Sequence, residues 1–495
     1  MELYKEKNGT GVGDSHSKEI NYYDANEEEV FNTEGGGEDK LDFKNLTWPM
    51  ATVVMIKIQF GLGILSVPEA IASLGAVPGV IILVFLAAVT TYGSIVTYQF
   101  KMKHRSVHSV SDIAYVMGGE PAKIGVFIFF VLYIGFVLGS SMLSVSIAFN
   151  AITAHGTCTV VFTFVSLVII CLVGSLRTYR MLSYLAWVGV ISILASVLIV
   201  TIAVGVSDRP AAAPSTGPYD KQVGATTTAS FGDAFMGIVN LLFAYAASPM
   251  FITIISELRN PKDFPKALYI CQGSITAVYL ALGIPIYTSI GVYTTSPSLG
   301  VAGQTIKRIA CEYTYLFKKI NYKSDKLLDG VALIGLVAGA SNICHSLAKA
   351  IFVQSMRKSS HLNRNTWKFW TVWISCVLGV SVFAFIIASV IPFFSSLLGL
   401  IGALFSSFFC IWFCSVVWFY EFWSTGEGDQ RSWLAGFKNK TFKQYLLASL
   451  NCLMILVGLL ITGAGLYASG SSIKSLFDKG QIGSPFSCAD TSSTS

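Results

Sequence analysis

The stretch Gly61-Leu62-Gly63-Ile64-Leu65-Ser66-Val67-Pro68-Glu69-Ala70 places two glycines and a proline inside the first long apolar segment of the chain. Each glycine weakens a helix, and the proline lacks the backbone donor that a helix interior uses. An anchor has no need of such residues, so the stretch predicts a helix interrupted partway across a membrane. Unwound backbone survives at that depth only where protein buries it or where it lines a cavity. The question for the rest of the chain is what the cavity holds.

Of 495 residues, 53% are hydrophobic and 13% charged, whereas a soluble domain carries about a quarter charged residues. Eleven apolar segments are present, most reaching the roughly 20 residues that a spanning helix needs. They lie near Met50–Ala72, Ala76–Gln99, Lys123–Phe149, Thr157–Ser175, Met181–Val206, Asp233–Glu257, Leu268–Tyr293, Gly330–Met356, Trp367–Val390, Phe393–Phe422 and Tyr445–Ala468. They are numbered spans 1 to 11 below. The fold class is therefore an all-α polytopic membrane protein: residues 1–45 form a disordered acidic tail, residues 46–470 an eleven-helix transmembrane domain, and residues 471–495 a short polar tail.

Charge sets the orientation. The first 45 residues hold twelve Asp or Glu against five Lys, a net of −7, which leaves +13 on the remainder of a chain whose total is +6. With the N-terminus cytoplasmic, the inner loops carry Lys101, Lys103 and Arg105; Arg177 and Arg180; Arg259, Lys262 and Lys266; Arg357, Lys358, Arg364 and Lys368; and Arg431, Lys438, Lys440 and Lys443. That is the bias of cytoplasmic loops, and it gives no sign of nucleic-acid binding. An odd number of spans puts the C-terminus outside. The long outer loop from Thr294 to Asp329, with six basic residues of its own, resists the rule, as long loops do. The outer loop Ser207–Gly232 reads as an irregular connection, and Val107–Met117 is a mildly amphipathic stretch at the inner surface.

The ten cysteines include no CxxC pair, and most lie in apolar runs. Cys158 and Cys311 fall on the outer face in this topology, apart from the terminal Cys488. An oxidising compartment would allow them to pair, but sequence does not give their separation, so a disulfide and two free thiols both stand. The lysines of the N-terminal tail are open to modification, which makes trafficking or ubiquitination machinery a candidate partner there.

A second interruption lies in span 6, at Phe243-Ala244-Tyr245-Ala246-Ala247-Ser248-Pro249. Spans 1 and 6 are five apart and run in opposite directions, and paired breaks at matching places in two halves mark an inverted-repeat transporter with a site at the membrane midplane. Spans 1–5 and 6–10 are the repeats. Unwinding exposes N–H groups at one half-helix start, suited to an anion, and carbonyls at the other end, suited to an ammonium. A zwitterionic amino acid fits both. The rival account of Gly61 and Gly63 is close helix packing by small residues.

The string from Ile58 to Ala70, of the form G-x-G-I-L-x-x-P-x-A, resembles the first helix of the amino acid/auxin permease family. The run Ser256-Glu257-Leu258-Arg259-Asn260-Pro261-Lys262-Asp263-Phe264-Pro265-Lys266-Ala267-Leu268 is similar to that family's sixth helix and the loop after it, and Ile391-Pro392-Phe393-Phe394 with Leu398 to Phe405 resembles its tenth. Met55-Ile56-Lys57 and the acidic tail bring it nearest to fungal neutral amino-acid permeases. The resemblance implies a LeuT-like fold and secondary transport of amino acids, often with protons. By position it implies that Gly61, Leu62 and Gly63 hold the substrate carboxylate, while Tyr245, Ala246 and Ser248 line the amino-group side.

Other residues are candidates on chemistry. Tyr133 sits near the middle of span 3 and offers a hydroxyl, either to substrate or to a local partner. Lys57, one turn before Gly61, either snorkels or, if buried, carries the proton or replaces a sodium ion electrostatically. Ser341 and Asn342 lie where the family's eighth helix nears the first and, in sodium-coupled relatives, supplies oxygens to an ion; His345 is a titratable group one turn on. Glu69 is a gate candidate or a solvated end charge. Gly63→Leu is expected to abolish uptake with surface expression intact. No nucleophile–base, HExxH or paired-acid constellation occurs in the spans, so the expectation is no enzyme, metal or cofactor. The expected partners are an amino acid, a co-transported proton rather than sodium, and the lipid bilayer, with the plasma membrane favoured over the vacuolar one. A receptor that keeps the transporter fold and signals through its tail is the alternative.

Overall fold

A computed structural model describes residues 46–153, 156–176, 179–206, 209–210, 213–214, 217–294, 296–298, 329–356, 366–391, 393–423, 441–478, 486 and 488. Thirteen helices carry the architecture: α1 Trp48–Gln59, α2 Gly63–Leu74, α3 Ala76–Lys103, α4 Val110–Thr153, α5 Thr159–Gly174, α6 Tyr179–Val206, α7 Phe231–Ala244, α8 Phe251–Glu257, α9 Phe264–Ile290, α10 Asp329–Met356, α11 Trp367–Val390, α12 Phe394–Ile401 and α13 Phe442–Asp478. Among the described residues nine helical stretches are long and apolar enough to cross a membrane; the bent pair α1 and α2 and the shorter apolar α5 bring the number of segments to eleven.

The break in span 1 falls at Phe60–Leu62, and α2 leaves at 59° to α1. Pro68 lies inside α2 without ending it, because one missing donor removes one bond of the ladder. Helix α2 runs on to Leu74 and stops at Gly75, whose φ of +88° excludes most side chains and whose added Cβ would lie 2.8 Å from Thr226 Cα. Glu69 therefore sits mid-helix and half-buried, not at a solvated end.

Span 6 ends its first half at Ala244, passes through a turn and a short 3₁₀ piece at Ser248–Met250, and resumes as α8. Ahead of span 3, the amphipathic stretch is helical from Val110 and is bent away at Gly118–Gly119, where Gly119 has φ +68°; Asp112 and Lys123 face each other across the bend at 3.8 Å. Span 10 continues from α12 to Trp423 through three π-helical turns, Gly402–Ser406, Phe408–Trp412 and Phe419–Trp423.

Two groups of spans pack internally. Helices α1, α2, α3, α7 and α9 hold spans 1, 2, 6 and 7 together, while α4, α5, α6, α10 and α11 join spans 3, 4, 5, 8 and 9. Helices α12 and α13 pack on each other and on α7. This is the grouping expected of a LeuT-like inverted repeat of spans 1–5 and 6–10 plus an eleventh helix. Large apolar side chains such as Ile81, Leu172, Ile191 and Leu456 stay exposed on the outside of the bundle, the surface that lipid covers.

The structure corrects the cysteine expectation. Cys158, at the start of α5, is bonded to Cys488, so it is not the partner of Cys311, which lies outside the described residues. The physical reason is the course of the chain after α13. Phe486 donates its N–H to Ser389 O at 3.1 Å, which seats Phe486, two residues before Cys488, at the end of α11. Sequence distance hid this contact, since the two cysteines are 330 residues apart.

Candidate functional site

Breaking a helix leaves carbonyls without their usual N–H donors, and in hydrocarbon those must be met by side chains or ligand. At the break in span 1, Phe60 still donates to Ile56 O at 2.8 Å, but Gln59 O is turned to span 7, where the Tyr279 hydroxyl lies 3.2 Å away. At the break in span 6 the same hydroxyl reaches Ala244 O at 3.0 Å. The next freed carbonyls are met by Tyr133, which donates to Ala246 O, and by Ser248, whose Oγ reaches Tyr245 O at 3.4 Å. Tyr133, Tyr245 and Tyr279 are all buried, so these bonds form out of contact with water.

The two glycines of the opening stretch have different surroundings. A Cβ on Gly63 would stand 2.7 Å from Ala244 Cα, so this glycine lets α2 and α7 touch backbone to backbone. A Cβ on Gly61 would meet nothing within 4 Å. Gly61, not Gly63, thus faces space at the break. Leu62, next to it in sequence, is buried, as are Ala246 and Ser248 at the break in span 6, and α2 begins without a side-chain cap. The Tyr245 hydroxyl turns to Thr276 Oγ1 of α9, at 2.9 Å.

Lys57 lies in the last turn of α1 and is half-buried. The span 8 candidates have contacts elsewhere: His345 Nδ1 is 3.1 Å from Gly174 O, and its ring packs edge-on against Trp373 at 5.1 Å. Ser341 is buried with its Oγ unpartnered among the described residues, and Asn342 is half-buried. Glu69 has a defined partner: Ser395 of α12 donates to its Oε2 at 2.6 Å, and Asn240 of α7 donates to Ser395 Oγ at 3.0 Å. Three spans, 1, 6 and 10, meet at that chain.

Contacts tie the chain together on both flanks of the breaks. On the side where span 1 begins, Leu46 bridges the residues after α8, with Leu46 N–H 3.2 Å from Glu257 O and Arg259 N–H 2.9 Å from Leu46 O. Lys266 Nζ sits 3.9 Å over the Trp48 ring there. On the far side, beyond the Glu69 chain, the segment around Gly224 is fastened to α3 and to Tyr287 of α9.

Sequence reading missed Gln59, Gln272, Thr276, Tyr279, Asn240 and Ser395. A signal existed for three of them. Gln272, Thr276 and Tyr279 stand at i, i+4 and i+7, a polar stripe along one face of an apolar span. Among the described residues no group of three His, Cys, Asp or Glu side chains is placed to hold a metal ion.

Comparison with known proteins bears on what such a site carries. A family model described as transmembrane amino acid transporter protein matches residues 44–295 and 317–462. A "transmembrane transporter" of Gibberella moniliformis is 32% identical over 454 residues, covering 92% of this chain and 90% of its own. The "N amino acid transport system protein" of Neurospora crassa is 29% identical over 490 residues, covering 94% and 96%. Among solved structures, MhsT in complex with L-phenylalanine superposes with a TM-score of 0.53 at 14% identity, covering 86% of this chain and 99% of its own, a likeness of fold.

Proposed function

From the premise that this chain belongs to the transmembrane amino acid transporter family, we propose that it carries neutral amino acids by proton symport, with the site alternately open to each face. The observation that carries this reading is the pair of breaks at Phe60–Leu62 and Tyr245–Ala247, with Gly61 facing open space at the first. The uncapped start of α2 suits the substrate carboxylate, and the negative dipole ends of α1 and α7 suit the ammonium. Residues 60–62 and 245–247 carry no charged side chain, which favours a neutral substrate. Leu62, Ala246 and Ser248 shape the pocket wall, with Tyr133 and Tyr245 holding the second break in position.

Lys57 is the coupling candidate, a fixed or titrating positive charge one turn from the break. Ser341, Asn342 and His345 are a reserve set whose polar groups would serve a sodium-coupled version of the same cycle. The disulfide Cys158–Cys488 supports an oxidising far side, hence a cytoplasmic N-terminus and an external C-terminus. The plasma membrane is the compartment proposed, with the tail lysines as a handle for ubiquitination.

Uptake of a labelled amino-acid panel into proteoliposomes tests the reading. Neutral amino acids should accumulate when the outside is made acidic, and counterflow should persist without a gradient. A sodium requirement with no response to protons would replace the coupling mechanism, and binding without counterflow would make the protein a receptor.

A further inference from the structure

The polar stripe of span 7 touches both broken spans at consecutive levels. Gln272 Oε1 accepts from Gln59 Nε2 at 3.0 Å, Thr276 Oγ1 lies 2.9 Å from the Tyr245 hydroxyl, and Tyr279 reaches Gln59 O and Ala244 O. Thr276 donates its own proton to Gln272 O at 2.7 Å, so Tyr245 is the donor to Thr276. A carbonyl oxygen only accepts, so the Tyr279 hydroxyl must be the donor to both breaks, its single proton shared between two oxygens.

Two carbonyls freed by two helix breaks and turned to one point are the arrangement by which broken-helix transporters coordinate a coupling cation. Here that point is filled. A Cβ on Gly63 would lie 3.0 Å from the Tyr279 hydroxyl, so backbone also closes in from span 1. We propose that the Tyr279 hydroxyl is a tethered donor standing in place of a cation at the junction of the two breaks, which makes this junction indifferent to sodium. The proposal rests on the transport reading for its cycle, but not for its chemistry. Gln59 supplies a third oxygen in reserve, because its Oε1 is buried without a partner among the described residues. A small hard cation could therefore be accommodated if the phenol were removed, since such ions seek several oxygens.

Tyr279→Phe, compared with the unaltered protein in choline, sodium and lithium buffers, tests this. In proteoliposome counterflow the unaltered protein should exchange at one rate in all three salts. The variant should fall at least about tenfold in choline, the scale of one lost buried hydrogen bond, and recover several-fold in sodium or lithium. Its melting temperature should rise with sodium while that of the unaltered protein does not. Tyr287→Phe removes a phenol from the same span that bonds Gly224, so it should show no difference between salts. Variant exchange at the normal rate in choline, or a loss equal in every salt, overturns the assignment. If Tyr279→Phe accumulates poorly, detergent extraction in sodium against choline decides the point: a monodisperse peak recovered in sodium supports the site, and equal loss in both overturns it. Lack of counterflow by the unaltered protein for every amino acid would count against the transport reading, while the melting comparison still decides Tyr279.

Discussion

An added methyl group distinguishes the two glycines of the first break. At Gly63 it would press on Ala244, and overpacking of this kind costs about 1–3 kcal/mol. At Gly61 it enters open space. Gly63→Ala should therefore lower the melting temperature and the amount of protein reaching the membrane. Gly61→Ala should leave both unchanged and raise the apparent KM for substrate. Gly63→Leu, expected from sequence to spare surface expression, should instead lose it with uptake. Thermal melting and a substrate titration on the same preparations check these outcomes, and a normal KM for Gly61→Ala would remove that residue from the pocket. Sequence could not separate these residues, because both read as small and helix-weakening. The difference arises from which one α7 happens to cross.

At the level of elements, the breaks themselves were legible. Glycine and proline act locally, so Gly61 and Ser248-Pro249 announced interruptions that the structure places at Phe60–Leu62 and Tyr245–Met250. Contacts between distant elements were not legible, and Glu69 shows why. Read as the end of span 1 it looked solvated, but α2 continues past it and α12 supplies Ser395, 326 residues later. The contact links spans 1 and 10 and, through Asn240, span 6, and we propose that Glu69 is part of a gate there. A buried hydrogen bond of this kind is worth about 0.5–1.5 kcal/mol net. Glu69→Leu and Ser395→Ala should each slow uptake by about tenfold, and the double variant should be no slower than the worse single, because both remove the Glu69–Ser395 bond. Multiplying effects would show that the residues act separately.

For the whole molecule, the disulfide joins the start of span 4 to the segment after span 11, enclosing spans 4 to 11 in one covalent loop. Cross-links that close long loops restrict the unfolded chain most, although measured gains of about 2–4 kcal/mol fall below the simple entropy value. Cys158 lies in the group of spans 3, 4, 5, 8 and 9, while α13 packs on α7 and α12, so the bond also ties the eleventh span back to that group. In the cycle proposed above, span 11 stays in place, and the bond holds it there. Cys158→Ser and Cys488→Ser should each lower the melting temperature by the same amount, the double variant by no more than either single, with counterflow at low temperature retained in all three. Alkylation mass shifts should appear at both cysteines only after reduction. If the two single variants differ in melting temperature, or if either thiol alkylates without reductant, the loop is not closed by this pair. A loss of counterflow in stable protein would instead mean that span 11 takes part in the motion.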